Sequence, residues 1–298
     1  MYHRVLPANH PDRATEQPGM YVTPETLAMH LAVLREHFTF VHLDEWLDAK
    51  AAGRELPRHA CAITFDDGWR DNYDHAFPML RQAQVPATIY LVSDLVGTSY
   101  SFWPNTLARL LASGEQAVMA RARALLGELP ATQGALDTAQ IDAIIGRCKS
   151  RSDAEMHSLV AEIASVASTA APGVRDLMSW EEIDEMQRSG LVRFGSHTRR
   201  HTRLSKLPAG AQMDDEVRGS RDALTPRLHG QPRTFCYPNG DVSGIALEAV
   251  RQNYSGAVTT RRGWNDPLSD IHALKRVGVH EDVASIRSAF LARLAGVG

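Results

Sequence analysis

The 298-residue chain is predicted to fold as an α/β protein with parallel strands and helices outside. Three observations predict it. Apolar strand-like runs alternate with helix-like segments along most of the length, which implies parallel pairing through crossovers. The central runs, Ala60–Phe65 and Ala87–Val92, are apolar almost throughout, as strands buried on both faces require. The residues able to do chemistry fall where such runs end.

In chain order, Tyr2–Leu6 reads as the end of a first strand. Thr23-Pro24-Glu25-Thr26 opens a helix, with Thr23 as N-cap, proline in the first turn, and Leu27, Leu31 and Leu34 on one face. Phe38–Val41 reads as a short strand, Leu43–Ala51 as a helix, and Ala60–Phe65 as a strand closed by Gly68. Tyr73–Gln82 is helical and Ala87–Val92 is a strand. Residues from about 100 to 176 break the rhythm: they are rich in Ala, Leu, Glu and Arg, carry helical spacing in Ala117–Leu126 and Ala154–Val166, and offer no strand. This stretch reads as a helical insertion, either a packing subdomain or a lid or partner surface over the mouth of a site. Strands resume at Leu191–Gly195, Thr234–Tyr237, Gly256–Thr259 and Ala273–Val279, with helices between. No internal repeat or low-complexity tract is visible.

Composition narrows the function classes. Hydrophobic content of 44% and charged content of 22% are those of an ordinary globular protein long enough for one large domain or two small ones. A net charge of −3 leaves no footprint for nucleic acid. Cys61, Cys148 and Cys236 are odd in number with no paired spacing, and Cys61 and Cys236 read as small buried hydrophobes in strands. No apolar stretch has the length of a transmembrane segment, and no charged-then-apolar leader is visible, so the chain as written reads as cytoplasmic. A start upstream of Met1 would leave room for an export signal.

Two fragments carry the chemistry. Thr64-Phe65-Asp66-Asp67-Gly68 sets adjacent carboxylates at a strand end, and Ser196-His197-Thr198-Arg199-Arg200-His201 sets two imidazoles four residues apart after another strand. One carboxylate with two imidazoles is a three-ligand set that leaves a divalent metal open to water, and the spare carboxylate would take that water's proton. Neighbouring residues on an extended strand point to opposite sides, so Asp66 and Asp67 share a site only where the strand turns, at Gly68. Ser196 and Thr198 are expected to orient ligands or cap the turn.

These fragments, with Met178-Ser179-Trp180 through Ser189-Gly190 and Tyr237-Pro238-Asn239-Gly240, resemble the motifs of the polysaccharide deacetylases, the NodB-like chitooligosaccharide deacetylase family, over roughly residues 60–100 and 178–280. The resemblance implies a distorted, incomplete (β/α) barrel of about seven strands. Residues 1–298 then form one deacetylase-like domain with the helical insertion at about 100–176. It implies a metal-dependent hydrolase that removes N-acetyl groups from amino sugars of an N-acetylated carbohydrate. A related amidase acting on a cyclic amide or formyl group is the alternative, and so is a catalytically silent carbohydrate-binding relative.

By resemblance, Asp67, His197 and His201 hold the metal and Asp66 is the base. Zinc suits that set best, while cobalt, nickel or iron also fit. Pro238 matches the family's third-motif proline beside Tyr237, and Asn239 replaces the tyrosine whose backbone N–H supports the oxyanion. The arginine that tethers the base is missing from that motif, and Arg276 on a late strand is the substitute. The general acid is one of His3, His272 and His280, with His3 favoured because it ends a strand. Core packing is the reading for Trp69, Trp103 and Trp264, with stacking on a sugar as the alternative.

Overall fold

The computed structural model describes residues 1–130, 134–168 and 175–296. The strands, in chain order, are β1 (Arg4–Val5), β2 (Tyr21–Val22), β3 (Thr39–Phe40), β4 (Ala60–Cys61), β5 (Ile63–Phe65), β6 (Ala87–Leu91), β7 (Val192–Ser196), β8 (Thr234–Cys236), β9 (Gly256–Arg262) and β10 (Leu274–Arg276). Six of them, β5 to β10, form one all-parallel sheet in sequential order, while β1 pairs β2 and β3 pairs β4. The sheet curls into a half-barrel with helices around it, a distorted and incomplete (β/α) barrel. Every residue of β5, β6 and β8 is buried, as strands sandwiched between a barrel interior and outer helices must be.

The N-terminus extends the curl. The Tyr2 amide donates to Thr64 O at 2.9 Å and the Asp66 amide to Tyr2 O at 3.0 Å, so Tyr2 lies alongside β5. On its other side the Val279 amide donates to Met1 O at 3.2 Å. This accounts for the shortness of β10 against the expected Ala273–Val279: its last residues bond to Met1 rather than to β9. His3 is thereby fixed beside the end of β5.

Local chemistry sets several elements as expected. The Thr23 hydroxyl accepts from the Thr26 amide and starts the helix Pro24–His37. Ser179 and Glu182 form a reciprocal capping box for Trp180–Arg188, which leads into β7. The expected helix Tyr73–Gln82 begins instead as a π-helical turn, Asn72–Ala76, and becomes α-helical over Phe77–Ala83. Gly195 in β7 has a packing reason: a Cβ there would lie 2.5 Å from the Tyr90 ring and 2.8 Å from Thr234 O.

Two compact units result. One comprises Met1–Pro7, Pro18–Thr98 and Leu177–Gly298 and contains the half-barrel; the other comprises Ala8–Gln17 and Ser99–Asp176. Within the second, the helices Trp103–Ser113, Gln116–Leu126, Thr138–Cys148 and Asp153–Ala164 bury Leu107, Leu111, Ile141, Ile145 and Ile163 against one another. Arg109 pairs both carboxylate oxygens of Asp176 at 3.0 Å. Among the described residues no helix is long and apolar enough to cross a membrane.

Candidate metal centre

The carboxyl ends of β5 and β7 carry the two fragments, and the sheet brings them together. After Phe65 the backbone turns left-handed at Asp67 (φ 75°) and Gly68 (φ 76°). Aspartate tolerates that region better than most residues, and it lets both aspartates face one side. Asp67 Oδ1 then lies 3.3 Å from His197 Nε2 and 3.4 Å from His201 Nε2. The two imidazoles meet edge to face, their centres 4.9 Å apart. Ligand atoms of the three residues all lie within 4.8 Å of one another.

The donor set fits a divalent cation. His197 Nδ1 is 2.7 Å from the Cys236 carbonyl, so Nδ1 carries the hydrogen and Nε2 presents its lone pair toward Asp67. Burial raises the Asp67 carboxyl, but hydrogen bonds to His197 and His201 overcome it and hold the group well below the carboxylate range. For His197, burial favours the neutral ring, yet Cys236 and Asp67 together push its pKa well above the ordinary value. A field that attracts a proton here also attracts a metal ion in its place.

Asp66 occupies a different environment. Arg276 donates to Oδ1 and Oδ2 at 2.7 Å each, a bidentate pair in which both residues are buried. The guanidinium is itself placed by Thr259 O at 2.8 Å, Thr64 Oγ1 at 3.1 Å and Cys236 Sγ at 3.2 Å. Burial would raise the Asp66 carboxyl, but the charge and N–H groups of Arg276 lower it to about 2. Asp66, His197 and Cys236 also converge closely enough to hold an ion. Arg276 occupies that angle, bonding to both Asp66 and the Cys236 sulfur, whereas the ligand atoms of Asp67, His197 and His201 face one another.

Of the other predicted residues, His3 reaches the edge of this cluster and the two alternative histidines turn to other partners. His3 Nε2 lies 3.9 Å from Asp66 Oδ2, with a fifth of the side chain exposed. His272 turns its Nε2 to Tyr254 O at 2.9 Å, and His280 caps Glu281–Ala284 with its ring against Asp282. Tyr237 is fully buried, its hydroxyl given to His272 O and its amide to Val258 O. Both donors are therefore used by the protein itself. Pro238 is buried, and Asn239 is exposed with φ 56° at the third-motif turn.

Trp69 is buried, out of reach of a sugar, Trp103 packs on the second unit's core, and Trp264 stacks half-exposed on Phe38. The Thr198 hydroxyl is buried without a hydrogen-bond partner among the described residues, so it caps nothing there, and Ser196 pairs with Ser220.

Sequence reasoning missed Glu216. Its Oε2 accepts the Arg199 and Arg200 amides at 2.9 and 3.1 Å, holding the loop between the two histidines. That loop needs holding, because Thr198 and His201 both have positive φ, 65° and 62°. The acidic residue lies 15 positions beyond His201, inside the π-helical turn Asp215–Gly219, and no motif marks it.

Comparison with known proteins identifies the family of the chain. The family model described as polysaccharide deacetylase matches residues 53–125 and 130–255. Over 88 residues the chain is 35% identical to the poly-beta-1,6-N-acetyl-D-glucosamine N-deacetylase of Escherichia coli strain K12, a match covering 29% of this chain and 13% of that protein. Over 89 residues it is 32% identical to the protein of the same name from Staphylococcus epidermidis, covering 30% of each. The chain thus spans less than a third of the length of these curated relatives. The Streptococcus pyogenes deacetylase PplD, solved in complex with acetate, superposes with a TM-score of 0.63 at 17% identity, covering 99% of this chain and 96% of that one, a likeness of fold. With a family model that matches well over half of its residues, the chain belongs to the polysaccharide deacetylase family.

Proposed function

We propose that the protein is a metal-dependent N-deacetylase that hydrolyses the acetamido groups of an N-acetylated amino-sugar polymer, with zinc as its metal. The observation that carries this reading is the pairing of a three-ligand cluster with an adjacent carboxylate locked in its ionised form. Asp67, His197 and His201 would hold the ion through one oxygen and two Nε2 atoms. A bound zinc ion supplies an acidified water and polarises the amide carbonyl. Asp66, ionised beside Arg276, accepts the proton of the attacking water. By the family resemblance, the backbone N–H of Asn239 would support the developing oxyanion, and His3 would return a proton to the leaving amine. The names of the curated relatives favour polymeric N-acetylglucosamine as substrate.

The test is acetate release from free, nucleotide-linked, lipid-linked and polymeric N-acetylhexosamines, alongside metal analysis of the purified protein. Close to one divalent ion per chain and acetate from the polymer are expected. A metal-loaded protein that releases acetate from none of them would point to the amidase reading. A metal-free, inactive one would point to a silent carbohydrate-binding relative.

Arg276 gives this reading a pH signature. Arg276→Lys keeps a positive charge but loses the fork, while Arg276→Ala leaves a buried carboxylate unpaired, at a cost of roughly 3–5 kcal/mol. In either variant Asp66 loses part of what holds its carboxyl at about 2. Burial then raises it, and the base stays protonated to higher pH. The acidic limb of the rate profile is expected to move upward, further in Arg276→Ala, with the variants' folding checked by circular dichroism. An unmoved limb would reduce Arg276 to a structural ion pair.

A further inference from the structure

The second oxygen of Asp67 has its own partner. Trp69 Nε1 donates to Asp67 Oδ2 at 2.9 Å, while Oδ1 is the oxygen that faces both imidazoles. A buried indole N–H needs an acceptor, and here it takes one from the metal-ligand residue two positions back. The indole is only 1% exposed and is clamped. The Arg4 guanidinium lies over its ring at 4.3 Å, Arg4 Nε donates to Asp71 Oδ2 at 2.8 Å, and Asp71 Oδ1 accepts the Val5 amide at 2.7 Å. On the other side the Trp69 backbone bridges to Leu177 in antiparallel fashion. Asp71, Arg4 and Trp69 thus form a buried chain running from the β1 backbone to the carboxylate.

We propose that Trp69 is a positioning residue for the cation: its N–H engages Asp67 Oδ2, so that Asp67 ligates through Oδ1 alone, and the Arg4–Asp71 pair fixes the indole plane. The inference rests on the assignment of Asp67, His197 and His201 as the metal ligands. A carboxylate free of that bond can swing to bind with both oxygens, which fills a position that water or substrate needs. Partners that orient a ligand in this way are typically worth about 10–100-fold in metal affinity. The cation–π contact holds the ring where the bond demands it.

The experiment measures zinc affinity by chelator competition, and the visible absorption of the cobalt(II)-loaded protein, in parent and Trp69→Phe. The variant keeps an aromatic ring under Arg4 and lacks the N–H. Its zinc affinity is expected to fall about 10–100-fold, and its cobalt bands to weaken as coordination number rises. A second variant carries 3-benzothienylalanine at position 69, an isostere with sulfur in place of N–H. It keeps the packing if Trp69→Phe does not fold, and the same two changes are expected in it. Parent-like affinity and spectrum in the isostere would overturn the proposal while leaving the ligand set intact. A parent protein that binds neither zinc nor cobalt would overturn the ligand assignment, and this proposal with it.

Discussion

Asp66→Asn is expected to keep its metal and to lose turnover by a factor on the order of 10²–10⁴. The amide has the shape of the carboxylate but cannot accept the proton of the attacking water. Metal should stay because Asp66 is not in the Asp67, His197, His201 cluster, and its oxygens are both committed to Arg276. The substitution leaves the Arg276 guanidinium buried opposite a neutral group, so some loss of thermal stability accompanies it. Activity is therefore compared well below the melting transition. Acetate release and metal content on the same preparation decide the matter. A variant that loses its metal would mean that the two adjacent aspartates have exchanged roles.

What the sequence made legible was local or metal-like. The Thr23 cap, the apolar β6 and the strand-end carboxylates each follow from residues within a few positions of one another. The pairing of Asp66 with Arg276, across 210 residues, was legible only as a vacancy. The third motif lacks its arginine, and a late strand carries one. In the structure the guanidinium from β10 reaches the end of β8, where it donates to the Cys236 sulfur as well as to Asp66. Glu216 was not legible as part of the site, and Trp69 was legible only as core packing or a sugar platform, not as a partner of Asp67. Glu216 acts through two backbone amides, and Trp69 through one ring N–H. A contact of that kind depends on tertiary placement and leaves no periodicity. The two-residue β2 escaped for a related reason, since Tyr21–Val22 is too short to show alternation.

Replacing His3 by alanine tests the least local of the assignments. His3 follows directly on Tyr2, whose backbone bonds to β5, and its ring is 3.9 Å from the carboxylate of Asp66. An acid there would face the same small volume as the base, as donation to the leaving amine requires. Burial pushes the His3 pKa below the ordinary imidazole value, with the Asp67 and Asp66 carboxylates pulling the other way. The protonated ring is then lost as pH rises through a value below about 6.5, and the alkaline limb of the rate profile should lie on that side. His3→Ala is expected to keep fold and metal, to lose turnover by a factor on the order of 10²–10⁴, and to flatten that limb. His272→Ala and His280→Ala serve as the contrast, because their rings are engaged with Tyr254 O and Asp282. A loss of turnover in either that matched the expected His3 effect, with His3→Ala nearly normal, would move the acid to the segment around β10. A flattened limb in His3→Ala alone would tie the proton of the leaving amine to the N-terminal segment that bridges to β5 through Tyr2.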